Sequence, residues 1–259
     1  MGDASDWTFD TRLVRAFRPS AGPAAGAAVD LDAWPGSVPA AGQLLREGLE
    51  LPPGITILVG ENGSGKSTVV ELLAEAYGLN PQGGSILASS LPPRVRPTEP
   101  GAGMRLFVER GPAGRAAWAY FLRADTMHSL YTFLEENAGR GRPERLHELS
   151  HGQGFLEILR TRVNQRGFYL MDEPDSPLSF VASLGLVALL HDLAVEQSQV
   201  VVATHSPIVA AVPGAHVLEL GDWGIRAARW TDLEIVQSWR GFLNDPAQYL
   251  RYLLADDDD

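Results

Sequence analysis

Residues 60–67, Gly-Glu-Asn-Gly-Ser-Gly-Lys-Ser, have the residue types and the spacing that bind a chain of phosphates. The three glycines allow the backbone to fold around anionic oxygens with its N–H groups pointing inward. Lys66 can then reach the β- and γ-phosphates, and the hydroxyl of Ser67 can ligate Mg²⁺. The sequence predicts that the phosphate-binding residues are Gly60, Asn62, Gly63, Ser64, Gly65, Lys66, Ser67 and Thr68.

A second candidate for chemistry is the pair of adjacent carboxylates, Asp172 and Glu173, which follows the apolar run Phe168–Met171. Side chains alternate along a strand, so the two acids leave it in different directions. Asp172 can hold Mg²⁺ together with Ser67, and Glu173 can act as general base or position the attacking water. The pattern separates a metal ligand from a catalytic group, but a strand that simply ends in acids would look the same.

Lys66 is the only lysine among the 21 basic residues of the chain. Arginine together with abundant alanine, glycine and proline suggests a GC-rich coding sequence, in which arginine replaced lysine wherever either cation serves. A lysine kept against that background indicates a site that needs a compact ammonium group on a flexible stem. The alternative is that one lysine survived by chance.

Residues 149–153, Leu-Ser-His-Gly-Gln, lie between the glycine-rich segment 60–67 and the Asp172–Glu173 pair, and a helical pattern follows them. They resemble the Leu-Ser-Gly-Gly-Gln signature of the ABC ATPases, with His151 in place of the first glycine. Taken alone, Ser150 would be an ordinary helix N-cap. The three segments follow one another in the ABC order, with residues 60–67 as the P-loop.

Three smaller segments extend the resemblance, which covers Ile55 to Pro207. Thr204-His205-Ser206 matches the ABC switch-histidine motif. Residues 174–179 resemble the ABC D-loop, although the usual Ser-Ala-Leu-Asp is Ser-Pro-Leu-Ser here. Phe121-Leu-Arg-Ala-Asp125 is similar to a segment of small stand-alone bacterial ATPases related to RecF and SMC proteins. We expect it to take the place of the transporter Q-loop, with Arg123 or Asp125 near the metal and the nucleotide, although it contains no glutamine. A buried strand end with a charged edge would look the same.

The resemblance implies an ATPase that uses ATP and Mg²⁺ and closes two copies of itself, head to tail, around two ATP molecules. It implies that hydrolysis depends on Lys66, Glu173 and His205. It also implies that one copy's signature binds the γ-phosphate held by the other copy's P-loop. The residues that make this contact would be Ser150, Gly152 and Gln153.

The segments that must position these residues alternate between strand and helix patterns. This alternation and the resemblance together predict an α/β fold, a P-loop NTPase of ABC type with a mostly parallel sheet flanked by helices, an antiparallel β part and a short helical insert. Residues Pro19–Gly42 have no clear period and are expected to form a surface loop. Predicted strands are Thr11–Arg18, Ile55–Val59, Met104–Val108, Ala117–Leu122, Phe168–Met171 and Gln199–Ala203, with a hairpin of Ala215–Leu220 and Ile225–Ala228. Predicted helices follow the P-loop as far as Gly78 and cover Met127–Asn137, Leu156–Val163 and Leu184–Ala194.

Length and composition allow one large core or two modest ones. The resemblance implies one domain covering residues 1–259, with the helical insert at about 124–165 and a disordered acidic tail at 255–259. The absence of cysteine excludes disulfides, Cys-ligated zinc and iron–sulfur clusters. The longest apolar stretch, Phe180–Leu190, is interrupted by Ser183 and Gly185 and is too short for a membrane span. The amino terminus has no secretory pattern, so we expect a cytoplasmic protein without membrane insertion.

The net charge of −11 is unevenly distributed. Residues Arg94–Arg145 contain nine arginines and six acids, whereas Asp172–Asp259 contain four arginines and fourteen acids. A nucleic acid would therefore dock on Arg94–Arg145. The first hypothesis is a soluble ABC ATPase acting on a nucleic-acid or protein partner. The alternatives are the nucleotide-binding subunit of a membrane transporter and a nucleotide-dependent scaffold with little turnover.

Overall fold

The computed structural model describes residues 10–20, 30, 32–81, 83–85, 105–113, 118–123 and 151–253. The strands within these ranges are β1 (Val14–Pro19), β2 (Leu49–Glu50), β3 (Ile55–Val59), β4 (Gly84–Ser85), β5 (Leu106–Arg110), β6 (Ala119–Arg123), β7 (Phe168–Asp172), β8 (Gln199–Thr204), β9 (His216–Gly221) and β10 (Gly224–Ala227). The α-helices are α1 (Pro39–Glu47), α2 (Lys66–Tyr77), α3 (His151–Arg162), α4 (Phe180–Val195), α5 (Glu234–Asn244) and α6 (Pro246–Leu253).

A seven-stranded sheet in the order β10-β9-β3-β8-β7-β6-β4 organises the molecule. The five strands from β9 to β6 run parallel, and β10 and β4 pair antiparallel at the two edges. Every residue of β3, β7 and β8 is buried. Such continuous burial explains why these strands are mostly apolar, since helices cover a parallel sheet on both faces. Because β3, β8 and β7 are parallel neighbours, their carboxyl ends meet at one edge of the sheet.

Alternate residues of the strands feed two hydrophobic clusters. Val201 and Ala203 of β8 belong to the cluster formed with α1, α2 and β1. Val200 and Val202 belong to the cluster formed with α3 and α4. The P-loop helix α2 and the helix α3 thus lie on opposite faces of the sheet. A separate antiparallel sheet of β2, β1 and β5 packs on the α1 and α2 side.

The predicted α/β fold with a mostly parallel sheet and an antiparallel part is confirmed, as is the hairpin, formed by β9 and β10. The strands predicted at Met104–Val108 and Ala117–Leu122 begin two residues later than expected. Helices α3 and α4 begin several residues earlier than the predicted Leu156 and Leu184. The predicted helix Met127–Asn137, the insert up to residue 150 and the tail 255–259 lie outside the described residues.

The prediction of a loop throughout Pro19–Gly42 is wrong at its end, because α1 begins at Pro39. Proline at the first turn fits a helix start, since its missing N–H would have no partner there. The helix buries Ala40, Ala41, Leu44 and Leu45, which recur at helical spacing and pack against α2 and β1. Helices α5 and α6, which were not predicted, follow the hairpin. Among the described residues, no helix has both the length and the apolar character needed to span a membrane.

Candidate active site

The P-loop forms the turn between β3, which ends at Val59, and α2, which begins at Lys66. A Cβ on Gly60 would lie 2.5 Å from the carbonyl oxygen of Leu220. Gly65 has a φ of 92°, and a Cβ there would lie 2.5 Å from Cγ1 of Val38. Both positions therefore need glycine, the second also for its left-handed backbone. The predicted loop is held tightly between β9 and the segment before α1.

Lys66 is folded into this loop. Its Nζ donates hydrogen bonds to the carbonyl oxygens of Gly60, at 2.9 Å, and Glu61, at 2.8 Å. Burial lowers the pKa of the ammonium group, and the nearby carboxylates of Glu173 and Asp172 oppose that shift. A desolvated cation thus lies at the helix N-terminus, where backbone N–H groups also attract anions.

Ser67 and Asp172 are joined across the site. The Ser67 hydroxyl donates to Oδ1 of Asp172 at 3.0 Å, although 105 residues separate the two in sequence. Burial raises the pKa of Asp172 to about 6. Within the described residues there is no cluster of three or more His, Cys, Asp or Glu side chains for a metal ion. One carboxylate with one hydroxyl fits Mg²⁺, which keeps several waters and is completed by phosphate oxygens.

Glu173 and His205 come together at the ends of β7 and β8. Nδ1 of His205 lies 3.6 Å from Oε1 of Glu173, which is close but too long for a hydrogen bond. The Glu173 N–H donates to the carbonyl oxygen of Ala203 at 2.9 Å, so strand pairing continues one residue beyond Asp172. Glu173 has a φ of 49°, a left-handed backbone conformation that is uncommon for a residue other than glycine, so the extended strand ends there.

The other predicted site residues that the structure describes lie in the P-loop, α2 and α3. Asn62 is exposed in the loop, and Thr68 is in the first turn of α2. The Ser64 hydroxyl is buried without a hydrogen-bond partner in the described part of the chain. Ser150 lies outside the described residues. Gly152 and Gln153 are in the first turn of α3, at the helix start that the signature requires.

Arg123 lies beside Asp172, the predicted metal ligand. It ends β6 and is paired in register with Asp172 of β7. Its guanidinium donates to the Glu71 carboxylate and, at 3.0 Å, to the carbonyl oxygen of Pro81. Sequence reasoning missed Glu71, although a single acid between Val70 and Leu72 of an apolar helix was a signal for a buried partner. Asp125 lies outside the described residues.

Two comparisons with known proteins bear on these motifs. Residues 48–176 match the family model described as ABC transporter. The Thiamine import ATP-binding protein ThiQ of Chelativorans sp. (strain BNC1) is 32% identical over 202 residues, which cover 71% of this chain and 80% of that protein. The chain belongs to the ABC ATPase family. It is accordingly an enzyme that binds and hydrolyses ATP.

Two solved structures are also similar to this ABC ATPase. CbiO1 from Clostridium perfringens, part of the ABC transporter complex CbiONQ, has 14% identity and a TM-score of 0.44, covering 80% of this chain and 89% of that one. The SMC head domain from Thermotoga maritima has 17% identity and a TM-score of 0.40, covering 70% of this chain and 92% of that one.

The buried Asp172 carboxylate is expected to lower the free energy of unfolding of this ABC ATPase at neutral pH, because it is then charged. Its pKa of about 6 exceeds the ordinary 3.8, so from about pH 4 to 6 the folded state holds a proton that the unfolded state has lost. The free energy of unfolding therefore falls as the pH rises through this window. Asp172→Asn, measured by urea unfolding without metal or nucleotide at pH 7.5, is expected to be more stable by about 2–3 kcal/mol.

The matched control is Asp192→Asn on the exposed surface of α4, which is expected to leave stability unchanged. Near pH 4 the advantage of Asp172→Asn is expected to disappear, because wild-type Asp172 is then neutral as well. An Asp172→Asn protein that is no more stable than wild type at pH 7.5 would show that burial does not penalise this charge.

Proposed function

We propose that this ABC ATPase hydrolyses Mg·ATP at a site completed by a second copy of the chain, and that it does so in the cytoplasm as one domain over residues 1–259. One observation carries the proposal. Lys66, the Ser67–Asp172 pair and the Glu173–His205 pair converge where β3, β7 and β8 end, and β8 lies between the other two strands.

Each side chain has one role in this proposal. Lys66 binds the β- and γ-phosphates within the glycine turn of residues 60–65. Ser67 and Asp172 hold Mg²⁺, which when bound neutralises charge on the phosphates. Glu173 accepts a proton from the attacking water, and His205 contacts the γ-phosphate from the neighbouring strand end.

The need for a second copy is supported by the positions of two helices. The signature residues Gly152 and Gln153 are in the first turn of α3, and α3 packs with α4 on the sheet face opposite the P-loop helix α2. The start of α3 offers backbone N–H groups to an anion. In a head-to-tail pair it would offer them to the other copy's ATP. Light scattering of a Glu173→Gln protein with Mg·ATP tests this closure.

The partner on which the ATPase acts is better supported as a membrane transporter than as a nucleic acid. The curated relative is named an import ATP-binding protein, and the matching family model is described as ABC transporter. The structure describes three of the nine arginines in Arg94–Arg145. One of them, Arg110, stacks over the Tyr77 ring at 4.4 Å, and another, Arg123, pairs with Glu71. These two are therefore committed to contacts within the fold.

A transporter subunit is expected to copurify with an integral-membrane protein when a tagged chain is isolated from detergent-solubilised host membranes. Adding that membrane protein should change the ATPase rate, which separates a specific complex from simple capture. DNA binding, measured by fluorescence anisotropy at low salt, is expected to be undetectable. DNA binding that disappears when Arg140, Arg142 and Arg145 are neutralised together would instead favour the nucleic-acid hypothesis.

A further inference from the structure

Asp175 is a buried carboxylate to which the roles above give no task. It lies in the D-loop, residues 174–179, two residues after Glu173, and only 7% of it is exposed. Its Oδ1 accepts a hydrogen bond from the hydroxyl of Thr204 at 2.7 Å. Burial raises the pKa of Asp175, and the Thr204 hydroxyl opposes that shift. A group that is costly to bury is therefore stabilised by a short hydrogen bond from a distant part of the chain, in addition to one from its own backbone.

Thr204 connects Asp175 to the loop that carries His205. It is the last residue of β8 and is fully buried. Its hydroxyl oxygen accepts a hydrogen bond from the Ser206 N–H at 2.9 Å while its proton is donated to Asp175. Two linked hydrogen bonds thus connect the Ser206 backbone, through the Thr204 hydroxyl, to Asp175 in the D-loop. The residues on either side of His205 are both part of this connection.

Each of the two loops is braced internally. In the loop after β7, the Ser176 N–H donates to the Glu173 carbonyl at 3.1 Å. In the loop after β8, the Val209 N–H donates to the Ser206 hydroxyl at 3.4 Å. Internal bracing fixes the shape of each loop but not the separation between them.

The backbone bond from the Glu173 N–H to the Ala203 carbonyl joins the two loops where they leave the sheet. Beyond that bond, side-chain contacts set the separation. The Glu173–His205 contact is 3.6 Å long and its two side chains are partly exposed, so it cannot fix a distance. The Thr204–Asp175 hydrogen bond is short, and its partners are almost completely buried. Glu173 also needs such support, because a non-glycine residue at a φ of 49° is held there only by its surroundings.

We propose that Asp175 and Thr204 are positioning residues, whose hydrogen bond fixes the loop of Glu173 against the loop of His205 and so sets the rate of hydrolysis. The role rests on the proposed function, since it requires Glu173 to act on the attacking water. The proposal gives neither residue a contact with ATP. Breaking the bond should slow the chemical step and leave ATP binding intact.

The test is Thr204→Val, which removes the hydroxyl and nearly preserves the volume. The kcat for ATP is expected to fall about tenfold or more, because small misplacements of reacting groups are costly. The affinity for a fluorescent ATP analogue is expected to change by less than about twofold, since uniform binding is untouched. Thr204→Ser keeps the hydroxyl and is expected to retain most of the turnover.

A double variant separates positioning from stability. Thr204→Val leaves Asp175 as a buried charge that has lost its partner, which destabilises the fold. Adding Asp175→Asn removes the charge, so Asp175→Asn/Thr204→Val is expected to recover thermal stability but not kcat. This double variant also replaces Thr204→Val if the single variant does not fold. Recovery of kcat together with stability would overturn the positioning role.

Two further proteins complete the test. Thr161→Val makes the same chemical change at an exposed position near the end of α3, where the hydroxyl donates to the Ile158 carbonyl at 2.7 Å, and is expected to leave both stability and kcat nearly unchanged. Glu173→Gln shows whether the proposed function holds. If Glu173→Gln is inactive and Thr204→Val turns over at the wild-type rate, the positioning role is wrong and the proposed function stands. An active Glu173→Gln protein would overturn the proposed function itself.

Discussion

Lys66→Ala is expected to lower the affinity for ATP by about 100-fold or more. The substitution removes the only lysine of the chain, and with it a desolvated cation placed to contact two phosphates. Hydrogen bonds to charged groups contribute about 1.5–3 kcal/mol each, and each 1.4 kcal/mol is about tenfold in affinity. Titration of a fluorescent ATP analogue measures the loss directly.

Lys66→Arg tests shape at constant charge. Nζ fits between two carbonyl oxygens at 2.9 and 2.8 Å, and Lys66 is only 4% exposed, so the larger planar guanidinium has no room. Affinity should therefore fall although the charge is kept. Arg229→Ala is the matched control for loss of one positive charge, since its side chain is 83% exposed, and it should bind ATP normally. Wild-type affinity in Lys66→Ala would remove the P-loop assignment.

The part of the site nearest to each motif could be predicted from the sequence because it depends on local structure. A buried strand, a glycine turn and a helix follow one another within residues 55–77, so the position of Lys66 at the helix start follows from the chain itself. The same holds for Thr204-His205-Ser206, which comes directly after β8. Parallel strands then bring these ends to one edge of the sheet.

The contacts that join different motifs could not be predicted, because strand register and loop conformation are set by distant parts of the chain. The pairing of Asp172 with Ala203 decides which backbone oxygen the Glu173 N–H meets. The left-handed φ of Glu173 has no signal in the sequence, where glycine or asparagine would be expected. The same is true of the Thr204–Asp175 bond.

Counting charges also gave an incomplete description of the surface. The excess of arginine in Arg94–Arg145 predicted a docking face for an acidic partner, yet Arg110 covers an aromatic ring and Arg123 pairs with a carboxylate of α2. Arginine stacks on rings and forms paired contacts as readily as it binds phosphate. Composition therefore gives the sign of the net charge of a segment, whereas the direction in which each side chain points depends on packing.

Helix α1 was missed for a different reason. Its Ala-, Gly- and Pro-rich surroundings indicate a loop, but the apolar residues at 40, 41, 44 and 45 have helical spacing. A nine-residue helix is marginal alone and forms here because that face packs against α2 and β1. The prediction of a loop gave local composition more weight than this short periodic signal.

Glu173→Gln is expected to lower the turnover of ATP by about 10²–10⁴ while leaving ATP binding intact. Glutamine keeps the size of the side chain and its capacity to accept a hydrogen bond, but it cannot take a proton from water. In the head-to-tail pair that we propose, closure would need both ATP molecules, and hydrolysis would reopen the pair. A protein that closes but does not hydrolyse is therefore expected to accumulate as an ATP-bound dimer. Size-exclusion chromatography with light scattering in Mg·ATP detects that dimer.

Two variants decide between closure and unspecific association. Glu196→Gln makes the same chemical change at the exposed end of α4 and should remain a wild-type enzyme. In Ser150→Arg, bulk is placed where the signature would meet the other copy's γ-phosphate, so the double variant Glu173→Gln/Ser150→Arg should bind ATP as a monomer. A Glu173→Gln protein that is still monomeric at saturating Mg·ATP would contradict the two-copy cycle. A Glu173→Gln protein that hydrolyses ATP at the wild-type rate would show that Glu173 is not the general base, because glutamine cannot accept the proton.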